Sequence, residues 1–125
     1  MKTLDNFILE RLKLNKSSKI SYKEWSIKDA KPGDIITCKE NNVKNNNNFF
    51  IFIFKTRNNN KIYDYGCYYG LTNNFYKSVD DNTYWPINNN TNYWLANEEE
   101  QKKFFDAMKK ANYEWDENKL EFKSI

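Results

Sequence analysis

Four of this sequence's eight aspartates, with its two cysteines, are the first candidates for acid–base or covalent chemistry. Asp34, Asp64, Asp80 and Asp81 could supply a carboxylate pair for general acid–base work. Each also fits a turn or surface position, which is the simpler reading. Cys67 as a nucleophile needs a base or cation beside it, and none is adjacent in sequence. A small buried hydrophobe explains it as well. Histidine is absent, so the commonest general base is missing. There is no Walker A loop, no GxGxxG and no CxxC pair, which argues against a phosphate-cradling loop and against a zinc site. The expectation is a protein without catalytic residues, metal or cofactor.

The stronger pattern concerns binding. Tyr63, Tyr65, Tyr68 and Tyr69 crowd one stretch, Tyr76, Tyr84 and Trp85 follow, and Lys55, Arg57, Lys61 and Lys77 are interleaved. A sheet that presents rings beside cations can stack nucleobases. Tyr and Trp are equally the residues enriched at protein–protein hot spots. The competing reading is structural: alternate aromatics fill the core while the lysines solvate the other face. A second surface is basic, since residues 1–31 carry eight Lys and Arg against four Asp and Glu. The candidate partner-binding residues are Lys13, Lys16, Lys19, Lys23, Arg57, Lys61, Tyr65, Tyr68, Tyr69 and Trp85.

Those residues need elements to hold them. Leu4, Phe7, Ile8 and Leu12 recur at helical spacing and predict an amphipathic helix over about Leu4 to Leu14, with Thr3 as its cap. Asn15 to Lys19 then reads as a hinge, which divides the chain into an N-terminal segment 1–19 and one α+β domain 20–125. Tyr22, Trp25 and Ile27 are expected to tuck against that domain. Lys31-Pro32-Gly33-Asp34 is a turn signature leading into a strand at Ile35 to Cys38. The unbroken apolar run Phe49 to Phe54 predicts a central strand covered on both faces. Asn58 to Asn60 turns it into Ile62 to Tyr65, where Gly66 and Gly70 suggest a bulge or bend. Short strands follow at Phe75 to Val79 and Thr83 to Ile87, with Pro86 confined to an edge or end. Asn97 and Glu100 make a capping box for a helix at 97–111, and Tyr113, Trp115, Leu120 and Phe122 alternate around a terminal hairpin. The expected fold is α+β: a small curled antiparallel sheet or partial barrel flanked by an N-terminal and a C-terminal helix.

Composition agrees with a chain that folds on its own. Its 125 residues make one domain's worth of chain, and aromatics form 18% of it, enough to stand in for scarce aliphatics in a core. The short asparagine runs read as turns, because Asn tolerates left-handed backbone and bonds its own main chain. No apolar run approaches the roughly 20 residues of a membrane span. A cytosolic protein with reduced Cys38 and Cys67 is expected, although one disulfide between them stays open.

Two stretches carry a resemblance. Residues 1–15, from Met1-Lys2-Thr3-Leu4-Asp5 to Leu14-Asn15, resemble the leader segments of small bacteriophage proteins. Glu98-Glu99-Glu100-Gln101 through Met108, followed by Tyr113-Glu114-Trp115, resembles the closing helix and hairpin of a phage accessory-protein family whose sheet opens on a turn like Lys31 to Asp34. The match covers most of residues 31–125, and its motifs are structural. What the resemblance implies is a non-enzymatic phage protein that binds and inhibits a host defence system in the host cytoplasm. Within that class the chain is similar to an anti-CRISPR inhibitor of a type VI-B RNA-guided RNase. Its partner would then be a host protein or ribonucleoprotein, with guide RNA included, rather than a membrane or small-molecule substrate. The rival classes are a single-stranded nucleic-acid-binding module and a virion-packaged structural protein.

Overall fold

A computed structural model describes residues 25–79, 83–87 and 89–125. The chain enters on Trp25 and a single 3₁₀ turn at Ile27–Asp29, capped by Ser26, whose side chain and Asp29 form a reciprocal capping box. The Lys31-to-Asp34 turn latches onto the sheet: Lys31 donates its backbone N–H to the Asp34 carboxylate at 2.8 Å, and Phe54 donates to the Asp34 carbonyl at 2.8 Å. Gly33 permits this with φ of 94°, a left-handed value that suits glycine.

Strands β1 (Ile35–Glu40), β2 (Phe50–Asn58), β3 (Lys61–Tyr69), β4 (Asn74–Lys77), β5 (Trp85–Pro86) and β6 (Thr91–Leu95) make an antiparallel sheet. Its order is β4-β3-β2-β1-β6, with β5 also on β3. Helix α1 (Glu98–Lys110) follows, then a two-stranded hairpin, β7 (Tyr113–Asp116) and β8 (Glu121–Ser124). The apolar run Phe49 to Phe54 does build a strand buried on both faces: Ile51, Phe52 and Ile53 are wholly inaccessible. Ile51 and Ile53 face α1, while Phe52 and Phe54 face the opposite side.

The helix is held as its ends dictate. Asn97 accepts from the Glu100 N–H at 2.8 Å, and Glu100 accepts from the Asn97 N–H at 2.9 Å. Asn112 closes the other end with φ of 67°, as Asn does after a last helical turn. Phe104, Ala107 and Met108 are buried against the sheet, while Phe105 stays more than one-third exposed. The hairpin closes this side through Phe122, whose ring lies 4.9 Å from Trp115 and 5.3 Å from Phe75.

The expected fold needs correction. Among the described residues strand is the commonest structure and α1 the one α-helix, so they do not show the expected pair of helices flanking the sheet. The segment assigned to the N-terminal helix lies outside the described residues, as do Tyr22 and the hinge. On the sheet face opposite α1, Trp25, Ile27, Ala30, Trp85 and Ile87 pack against the core among the described residues. The sheet is open: among the described residues β4 and β6 end the strand order without pairing to each other. A strand missing from the expectation, β6, supplies one of those ends.

Candidate functional site

The face of the sheet turned away from α1 carries the site. Strand alternation delivers Cys38 and Glu40 from β1 and Phe50 from β2 to this face. β6 runs antiparallel to β1 with Tyr93 opposite Cys38 and Thr91 opposite Glu40, so both side chains join the same face. β5 is only two residues long, yet it sets Trp85 over the middle of the sheet. The indole stacks on Phe52 at 5.8 Å and meets the edge of Phe50 at 4.7 Å. Tyr69 lies flat on the same Phe50 ring at 4.3 Å and donates its hydroxyl to Asn48. Between Phe50, Trp85 and Tyr93 opens a cleft of about 180 Å³, rimmed by Glu40, Val43, Asn48, Pro86 and Thr91 and floored by Cys38.

A pair of register shifts in β2–β3 makes this face possible. Phe52 pairs with Cys67 but Phe54 pairs with Asp64, so β3 holds one extra residue between them; Phe54 and Thr56 pair with Asp64 and Tyr63, so β2 holds the compensating one. The β3 bulge falls at Tyr65–Gly66, where a Cβ on Gly66 would stand 2.8 Å from Phe122. Its effect is to put Tyr65 and Gly66 together on the α1 side and to return both Asp64 and Cys67 to the cleft face. There Asp64 accepts a short hydrogen bond from Trp85 Nε1.

Electrostatics on this face disfavour reaction. Burial raises the Asp64 carboxyl above its ordinary value, and the bond from Trp85 opposes that rise. The Cys67 thiol is pushed up to about 12 by burial and by the charge of Asp64. Cys38 reaches about 12 as well, through burial first, then the charges of Cys67, Asp64 and Glu40 against a hydrogen bond with the Phe50 backbone. Both remain thiols at neutral pH, and the thiolate is the reactive species. They are also unpaired: β2 runs between their strands, with Cys38 opposite Phe50 and Cys67 opposite Phe52. Burial likewise lifts the Tyr93 hydroxyl to about 12. Among the described residues no three His, Cys, Asp or Glu side chains gather as a metal would need.

The ten candidates do not form one surface. Tyr69 and Trp85 come together over Phe50 at the cleft. Tyr68 is only 3% exposed and belongs to the core under α1, where it donates to Asn73. Tyr65 faces the same side, its ring 5.1 Å from Trp115 with the Lys55 ammonium 5.5 Å above it. Arg57 and Lys61 are exposed beside the Asn59-Asn60 turn, and Lys61 sits 4.6 Å over Tyr84. Lys13, Lys16, Lys19 and Lys23 lie outside the described residues. The sequence reading missed Phe50, Tyr93 and Glu40, because their convergence depends on β6 pairing with β1.

Comparison with protein-family models, curated proteins and solved structures finds no match to this chain. No helix of the described residues is long and apolar enough to cross a membrane.

Proposed function

We propose that this chain acts by binding, and that it holds a macromolecular partner at the aromatic cleft on the sheet face turned away from α1. The observation that carries the reading is the cleft itself: half-buried Phe50, Trp85 and Tyr93 around an open volume, positioned by four strands. Large rings held rigidly at low entropic cost are what a binding hot spot uses. The thiols and the carboxylate on the same face are tuned away from nucleophilic work, which supports a non-enzymatic role. The phage-type segments quoted above support a specific form of this reading. In that form the protein is a phage-encoded inhibitor that captures a type VI-B RNA-guided RNase in the host cytoplasm, where stoichiometric binding suffices.

Affinity capture from bacterial lysate expressing such an RNase with its guide, followed by cleavage of target RNA, tests both levels. Retention of the RNase and loss of cleavage are expected at equimolar protein. Tyr93→Ala and Trp85→Phe, checked for folding by circular dichroism, should weaken capture. Capture of partner by cleft variants as well as by the native chain refutes the cleft as the site. Full cleavage at excess protein refutes the RNase as the target, and free RNA retained without protein points to the nucleic-acid module instead.

A further inference from the structure

We propose that the cleft receives the guanidinium end of an arginine side chain from a protein partner. This deepens the binding function above and rests on it. Aromatic rings grouped around an open volume attract a cation through the negative faces of their π-systems, most strongly when the cation is desolvated. Phe50, Trp85 and Tyr93 line this one, with one face of Phe50 covered by Tyr69 and one face of Trp85 by Phe52. Glu40 supplies the missing counter-charge: it is exposed at the rim, and its register opposite Thr91 turns it to the cleft face. Among the described residues none pairs with Glu40. The other charged residue of the lining, Lys39, alternates toward the α1 side of β1. The volume also fits, since a cavity of about 150 Å³ holds a benzene ring and this one is about 180 Å³. Arginine is favoured over lysine because a planar guanidinium stacks on rings and bonds a carboxylate in a fork. A nucleobase could stack on the same rings, but its phosphates would meet the Glu40 carboxylate, so the charge selects the protein partner.

The test is a titration of the ¹⁵N-labelled full chain with N-acetyl-arginine amide, its citrulline analogue and a short single-stranded oligouridylate. The readouts are the Trp85 indole N–H and the amides of Glu40, Thr91 and Tyr93. Arginine amide is expected to shift them saturably, with citrulline at least tenfold weaker because it keeps the shape and loses the charge. Glu40→Gln, a change at an exposed rim, should weaken arginine about threefold, and the oligonucleotide should leave these signals in place. Citrulline binding equally well, no arginine binding, an unchanged affinity in Glu40→Gln, or saturation by the oligonucleotide overturns the proposal. The two readings fail separately. If cleft variants lose partner capture but arginine amide shifts nothing, the guanidinium inference falls and the binding site stands. If cleft variants capture partner normally, the site itself falls.

Discussion

Replacing Trp85 by Phe removes one hydrogen-bond donor from the cleft face and keeps a ring to stack on Phe52. The lost bond is the one from Nε1 to the half-buried Asp64 carboxylate. A hydrogen bond to a charged group contributes about 1.5–3 kcal/mol, and a neutral one about 0.5–1.5 kcal/mol. The variant should therefore lose about 2 kcal/mol with Asp64 charged and about 1 kcal/mol with it protonated, the larger loss at the higher pH. The sign follows from linkage. Burial holds the folded-state pKa of Asp64 above its ordinary value of 3.8, so the folded state binds the proton more tightly than the unfolded one. Stability from this group is then present at acid pH and lost as pH rises through the folded pKa. Removing the donor raises that pKa further, so the native chain and the variant diverge as pH climbs. Urea unfolding followed by far-ultraviolet circular dichroism at about pH 4 and about pH 7 reads this directly. With a slope of about 1.5 kcal/mol per molar urea, the midpoint should fall by about 1.3 M at the higher pH and about half as much at the lower. Equal shifts at both values, or a loss below about 0.5 kcal/mol at neutral pH, would refute the claim that this bond stabilises a charged Asp64.

Three other outcomes follow from the packing. Phe104→Ala should cost about 3–5 kcal/mol, because the ring is wholly buried between α1 and the sheet; amide exchange across α1 and urea unfolding measure it. Thr37→Val should stabilise the fold by about 1 kcal/mol in the same assay, since the Thr37 hydroxyl is fully buried and has no hydrogen-bond partner among the described residues. Cys38, buried and held near 12, should react with a thiol reagent only as fast as the protein opens; its labelling in the folded chain within seconds would contradict that burial.

Much of the scaffold could be read from the residues, for local reasons. The double burial of β2 is written in its unbroken run of Phe and Ile, and the start of α1 in the Asn97–Glu100 pair. Asn59, Asn73 and Asn112 do adopt left-handed backbone at turns, as asparagines are suited to do. What escaped was non-local. β6 lies between an asparagine stretch and a helix cap, and nothing in Thr91 to Leu95 announces a partner strand near the start of the domain. Without that pairing, Tyr93 and Glu40 had no reason to meet. Phase was the second difficulty. Tyr65 and Tyr68 are three residues apart, so a regular strand would send them to opposite faces. The irregularity at Gly66, expected as a bulge or bend, is a bulge that re-phases β3 and brings both to the α1 side. A site inferred by counting alternate residues across a bulge is wrong from the bulge onward.

Double burial of β2 has a consequence for synthesis. The strand emerges from the ribosome roughly forty residues before the helix that covers one of its faces, and β6 comes later than β2 as well. At about 5–20 residues per second, that leaves the Phe- and Ile-rich segment half bare for about 2–8 s. Six residues of high β-propensity without charge or proline are the kind of segment that pairs with copies of itself. Expression rate and temperature should thus govern how much chain reaches the native state. A ribosome that stops before Glu98 would release an insoluble product, because the last quarter of the sequence shields the middle.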